Sequence, residues 1–330
     1  MENRARTPLT RSTRRTDWLL GIAVVSAVAL IPAAAVFAQG APAPFTVVET
    51  GQGYGTLQQA VDAIGAGQGT IAMAPGEYRQ CAVQQAGTIA FLATEPGKAI
   101  LDGVECEGKA ALVLRGREAS VSGVVFRNMA VADFNGAGIR LEAGTLTVAN
   151  SWFVDSQQGI LTAHDPNIAL VIDRSTFSGL GTCEGDGGCA HSVYTGSIGR
   201  LRVTRSRFER GTGGHYLKSR ARVTEISASS FDDSAGRATN YMIDLPQGSI
   251  GQITDNWFVQ GRDKENYSAF IAVAAEEGDQ PSAGLVIAGN DARFVPGLER
   301  SSVFVADWSG APLTIEDNDL GPGLKLFERR

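Results

Sequence analysis

The segment 213–221, GGHYLKSRA, places His215, Lys218 and Arg220 within six positions, in a chain that has only three histidines. A second histidine, His191, stands three residues before Tyr194 in AHSVYTG, and Tyr241 stands three before Asp244 in NYMIDLP. These residue types fit one kind of chemistry. Lysine neutralises a carboxylate as a point charge and arginine as a planar fork. A base titrating near neutrality, either His or a Lys depressed by a nearby cation, can then remove the proton on the adjacent carbon. Tyr or His can return a proton to a departing oxygen or to the opposite face. His191, Tyr194, His215, Lys218, Arg220 and Asp244 together would suit the breaking or inversion of an acidic sugar at C5. Taken singly, each reads as bland: Lys218 with Asp244 as a surface ion pair worth little, the histidines as partners of turn carbonyls. The two readings part on whether a fold brings these segments together.

A repeat supplies such a fold. LTVANSWF, LVIDRSTF, LRVTRSRF, TEISASSF and GQITDNWF share alternating apolar residues, then Ser or Asn, then an aromatic, and LVIAGNDA and LTIEDNDL are weaker copies. The closing aromatics Phe126, Phe153, Phe177, Phe208, Phe231 and Phe258 recur at separations of 27, 24, 31, 23 and 27 residues. Period-2 alternation implies strands, and repetition on this scale implies a solenoid. The uneven steps favour a right-handed parallel β-helix, whose loops grow without disturbing the stack. The expected fold is all-β: a single-stranded right-handed parallel β-helix of about ten coils over residues 39–330. The column Ser151, Ser175, Ser206, Ser229, Asn256, Asn290 and Asn318 reads as a stacked turn ladder and is set aside as structural. Thr56 heads an amphipathic helix with Leu57, Ala60, Val61 and Ile64 on its apolar side, placed to cap the open end of the solenoid.

Aligning the coils on the inward residues Ile139, Ile160, Val193, Leu217, Ile243 and Ile271 predicts an outward column of Arg140, Leu161, Tyr194, Lys218, Asp244 and Ala272. Two positions further on, the same face carries Glu142, Arg220 and Pro246. His191, His215 and Tyr241 precede the inward positions by two, so strict alternation would turn them inward unless the glycines of GGCAH and GTGGH re-aim them. Arg140, Asp133, Asn135, Tyr241, Gln260 and Asn266 are the expected substrate contacts, the last two from a loop on the far side. His164, one coil earlier in TAHDPN, reads as an ordinary loop residue.

The first 17 residues carry five arginines against Glu2 and Asp17, and an apolar run follows from Trp18 to Phe37. Residues 1–38 therefore read as a secretory signal cleaved after Ala38, or as an inner-membrane anchor through 18–37. Either delivers the rest to the periplasm or outside the cell. Without the first 17 residues the formal charge falls from −6 to −9, which argues against nucleic acid as a partner. Four cysteines in an exported chain imply two disulfides: Cys183–Cys189 closing CEGDGGC, and Cys81–Cys106 one coil apart. Glu184 and Asp186 in the short loop offer oxygen ligands to calcium, although two carboxylates do not make a site.

The opening YGTLQQAVDAI…GTIAMAPGEY resembles the start of pectin-lyase-like right-handed β-helix proteins, and the later coils resemble bacterial right-handed parallel β-helix repeat proteins, over roughly residues 45–325. The resemblance implies a carbohydrate-active protein. Members include lyases, hydrolases, epimerases, esterases and non-enzymatic surface proteins, so the reaction must come from the site. Lyases of the fold use Lys and Arg as acid and base with calcium on the substrate carboxylate; epimerases use a histidine with an aspartate-rich motif. The present sequence matches neither motif residue by residue, and no role is carried over. The expectation is a monomer acting on a uronate-containing polysaccharide by lyase or C5-epimerase chemistry. Hydrolysis is disfavoured because the column supplies one carboxylate, Asp244, where paired carboxylates are needed. The alternative is a non-catalytic glycan-binding or envelope-structural protein.

Overall fold

The computed structural model describes residues 43–276 and 280–330; the expected leader 1–38 lies outside them. From Gln68 onward the chain repeats one course, visiting three parallel sheets in turn and returning one strand further along each. The first sheet runs from Gln68–Met73 to Thr314–Glu316, the second from Gly76–Tyr78 to Asp319–Leu320, and the third from Ala82–Gln84 to Leu324–Arg329. The second and third each hold 10 strands. This is the expected right-handed parallel β-helix, almost devoid of helix.

The sequence repeat is the interior of the stack. Phe126, Phe153, Phe177, Phe208, Phe231 and Phe258 pair in register along the second sheet. Their rings stack with centroids 4.7–5.0 Å apart, which is the strand spacing itself. The turn ladder is also continuous. The backbone N–H of Ser151 donates to Ser175 Oγ, and the relay passes through Ser206, Ser229, Asn256 and Asn290 to Asn318 at 3.0–3.3 Å. The residue just before each of these positions, Asn150, Arg174, Arg205, Ala228, Asp255, Gly289 and Asp317, has positive φ. A side-chain acceptor at each turn, buried in all but Asn318, satisfies the backbone donor that the sharp bend leaves unpaired.

At the N-terminal end, Leu57–Ile64 is the expected helix. Thr56 Oγ1 accepts from the Gln59 N–H and Gln59 Oε1 accepts from the Thr56 N–H, a reciprocal capping box. Leu57, Ala60 and Val61 are buried, and an antiparallel pair, Phe45–Val47 with Gln52–Tyr54, completes the first sheet. Both disulfides form, with Cα–Cα distances of 5.5 Å for Cys81–Cys106 and 4.1 Å for Cys183–Cys189, as fits an oxidising compartment. Closing a loop of 25 residues between Cys81 and Cys106 removes unfolded-state entropy worth about 3 kcal/mol. Reduction is therefore expected to speed proteolysis of the first coils while the later ones stay intact, as mass spectrometry of the fragments would read. Unchanged cleavage there would remove the brace from the account.

Candidate active site

The third sheet carries the site, and its register is the one read from the sequence. Ile139, Ile160, Val193, Leu217, Ile243 and Ile271 pair in succession and are fully buried. On the other face Arg140, Leu161, Tyr194, Lys218, Asp244 and Ala272 pair in the same order. Parallel pairing at about 4.8 Å per rung thus sets Tyr194, Lys218 and Asp244 on three consecutive strands: Val193–Thr195, Leu217–Ser219 and Ile243–Leu245.

The turns before these strands do re-aim His191, His215 and Tyr241. His191 meets Tyr194 edge-on at 5.2 Å and His215 at 4.9 Å, and His215 stacks on Tyr241 at 5.6 Å. The His215 N–H donates to His191 Nδ1 at 3.0 Å, and His215 Nε2 lies 3.4 Å from Asp244 Oδ2. Gly214, with φ +60°, makes the bend; a Cβ there would come within 2.2 Å of the Ala190 carbonyl oxygen. These six residues, His191, Tyr194, His215, Lys218, Tyr241 and Asp244, form one cluster.

One expectation needs correction. Asp244 was placed on a solvent-facing column, yet it is only 3% exposed, and Ala272 beside it is fully buried. His215 and Lys218 lie against the Asp244 carboxyl, and Lys218 is held there by Glu276, which sequence reasoning missed. It follows the strand Ala269–Val273, and its carboxylate accepts from Lys218 Nζ at 2.8 Å and from Arg220 Nη2. Lys218 Nζ is also 3.5 Å from Asp244 Oδ2, so the lysine folds across Asp244 toward Glu276. Neither spacing nor periodicity signals a partner 58 residues from Lys218 in a loop outside the repeat. The Lys218–Asp244 pair is accordingly a part of the groove floor, not a solvated surface bridge.

Electrostatics follow from this burial. Desolvation pushes the Asp244 carboxyl up to about 6, against the pull of Lys218. Glu276 is shifted the other way: burial opposes it, but hydrogen bonds from Lys218 and Arg220 hold it below the usual carboxylate range. His191 is lowered to about 3, first by burial and then by Lys218 and Arg220; His215 is lowered as well, first by burial and then by His191 and Lys218. Both imidazoles are therefore neutral at pH 7. Arg220 Nη1 donates to the Tyr194 hydroxyl, and the guanidinium lies 5.3 Å from the ring centre. Asp244 Oδ1 and His215 Nδ1 are buried without a protein partner, unusual for buried polar atoms and common at functional sites.

This neutrality makes a stability prediction. A histidine lowered on folding keeps its full contribution above its unfolded value near 6.5 and loses it as pH falls toward its folded value. His191 alone should cost about 2 kcal/mol by about pH 5, with His215 adding in the same direction. Asp244, raised on folding, returns about 1 kcal/mol between about pH 6 and 5. The Tm should therefore fall below about pH 6.5, and His191→Asn, which retains an acceptor, should flatten that fall. An unchanged slope in the variant would place the titration elsewhere.

Cavities flank the cluster along the column. One of about 510 Å³ is lined by Asp133, Asn135, Leu161 and Tyr194 toward the N-terminal coils. Another of about 550 Å³ is lined by Gln247, Glu276 and Trp308 toward the C-terminal coils. The two cavities and the cluster between them thus lie in order along the third sheet. No protein-family model and no curated protein matches the sequence. Among solved structures the chain is similar to one titled as an alginate lyase from Paenibacillus sp. str. FPU-7, with TM-score 0.62 and 16% identity, over 82% of this chain and 94% of that one. The shared feature is the β-helix. ORF18 of Geobacillus virus E2 aligns at TM-score 0.44 and 15% identity, over 83% of this chain and 57% of that one.

The remaining candidates are placed as follows. Arg140 lies beyond Leu161 on the column, 3.6 Å from Glu142, which also pairs with Lys109 and Arg115. Gln260 is fully buried on the second sheet and accepts from Arg300, and Asn266 accepts from the Ser268 N–H in a turn. Neither is bonded to the cluster. His164 accepts from the Ser197 N–H in an exposed loop. Among the described residues no group of three or more His, Cys, Asp or Glu side chains could hold a metal ion. Glu184 and Asp186 have no third such side chain grouped with them among the described residues.

Proposed function

We propose that the protein is a polysaccharide lyase acting on uronate-containing chains by β-elimination. The observation that carries this reading is the internal carboxylate of Glu276, held by Lys218 and Arg220 beside the Tyr194 hydroxyl. Two cations converging on one carboxylate constitute a carboxylate-binding site, and a uronate would take the place Glu276 now holds. Pairing withdraws charge from the uronate and acidifies the C5 proton. Arg220 keeps that pairing while Lys218, its own proton passed to Asp244 Oδ2 at 3.5 Å, takes the C5 proton. Electrons from the C5–H bond form the C4–C5 double bond, and the C4–O bond breaks. Tyr194, whose oxygen accepts from Arg220, keeps its own hydrogen free to donate to the leaving oxygen. The alginate lyase of the same fold supports a polysaccharide as the substrate class. An epimerase would share the first step and differ in returning the proton to the opposite face.

A second reading has one observation in its favour. Asp244 and Glu276 are carboxyls shifted in opposite directions around one lysine, a pattern that also suits the acid and nucleophile of a hydrolase. Incubation with a panel of uronate polysaccharides separates these outcomes. Ultraviolet absorbance of an unsaturated uronate is the expected result. New reducing ends without that absorbance would make the protein a hydrolase, and binding without products would make it a glycan-binding protein.

A further inference from the structure

The cavity on the Tyr194 side is acidic, whereas the cluster matches its cations Lys218 and Arg220 with Asp244 and Glu276. It encloses about 510 Å³, within the range of small-molecule sites. Its charged lining residues are Asp133 and Asp186, and no lysine, arginine or histidine is among them. Tyr194 and Leu161 give it an apolar floor one and two rungs from Lys218. Gln158 also lines it, is only 1% exposed, and its amide Nε2 has no partner in the protein. Asn135 donates to Asp133 Oδ2 at 3.1 Å. Asp186 sits in the loop closed by the Cys183–Cys189 disulfide, so this wall is tethered before any ligand arrives.

A buried side-chain amide that lines a cavity and lacks an acceptor for its nitrogen points to a ligand that brings one. Two carboxylates accept hydrogen bonds from hydroxyls but repel a second carboxylate, and no cation in the lining offsets them. Arg220 reaches the Tyr194 ring from outside the lining but is paired with Glu276, and Arg140, beyond Leu161 on the column, faces Glu142. An apolar floor with polar walls suits the C–H face of a pyranose ring. From this we infer that the subsite next to the uronate site takes an uncharged, hydroxyl-rich sugar. The substrate is then a polymer in which uronate alternates with an uncharged sugar, as opposed to a homopolymer of uronate. The inference rests on the proposed function and narrows its substrate.

Affinities of the full chain for two sets of oligosaccharides test it. One set holds homo-oligomers of mannuronate, guluronate, galacturonate and glucuronate; the other holds the same uronates alternating with N-acetylhexosamine or neutral hexose. The tightest ligand should come from the alternating set, with every homo-oligomer at least about tenfold weaker. Asp133→Asn combined with Asp186→Asn should narrow that gap by strengthening the homo-oligomers. A homo-oligomer binding as tightly as the best alternating ligand would overturn the inference and leave the proposed function standing, as would an unchanged gap in the double variant. Failure of every uronate oligomer to bind would remove the proposed function, and this inference with it.

Discussion

Replacing Lys218 with alanine is expected to lower kcat/KM by about 100- to 10,000-fold, the range lost with a group that moves a proton in the transition state, while Tm changes by only a few degrees. The lysine stands between the Asp244 and Glu276 carboxyls at 3.5 and 2.8 Å. Its removal takes a cation from a buried acid, which could have been costly. Asp244, however, is already raised to about 6 with that cation in place. Without it, burial drives the carboxyl further toward its neutral form, so the folded state escapes an uncompensated charge by protonation. Activity has no such escape, because the lysine is the group that takes the C5 proton. Glu276→Gln should act in the opposite sense on binding. It removes the internal carboxylate that substrate must displace from Lys218 and Arg220, so KM should fall while kcat is largely retained. Steady-state kinetics with a calorimetric scan decide the matter. A Lys218→Ala protein that keeps its rate, or loses activity only in proportion to unfolding, would reduce the lysine to a structural ion pair.

The parts legible in the sequence are those that repeat. The phenylalanine column, the Ser/Asn ladder and the pairing of Tyr194 with Lys218 and Asp244 all follow from aligning one coil with the next, because a parallel stack forces equivalent residues into register. Gly159 in QQGILTA belongs to the same logic: a side chain there would meet the Ser192 carbonyl oxygen at 2.5 Å and the Phe177 ring at 2.9 Å. Exposure was less legible. Alternation gives the face on which Asp244 lies, but what covers that face comes from a loop of no fixed length, and Glu276 is such a residue. The acidic cavity was half visible: Asp133 and Asn135 could be named as contacts, but Gln158 reads as one more polar residue before a strand. Its unpaired nitrogen becomes evident only when the surrounding space is seen.

Phe177→Ala is expected to destabilise the domain by about 3–5 kcal/mol, as large-to-small changes in well-packed cores do. Phe177 is fully buried and stacks on both Phe153 and Phe208 at 4.8 Å, so truncation removes two ring contacts and opens a cavity between rigid rungs. A solenoid couples each coil mainly to its neighbours, which bounds how the damage spreads. The strand holding Phe177, Thr176–Leu180, leads directly into the disulfide loop and the strand Val193–Thr195 that presents Tyr194. Weakening that rung should loosen the site before the terminal coils unfold. Denaturant titration should then show a lower midpoint and a shallower slope, the mark of lost two-state behaviour, with activity disappearing ahead of the main transition. Trp257→Ala is the matched control. It adjoins Phe258 in the same sheet, but its side chain points outward and is 42% exposed, so its loss should cost well under 1–2 kcal/mol by the area it buries. Equal losses at the two positions would mean that the stacked column contributes no more than ordinary surface contact, and the repeat would lose its physical reason.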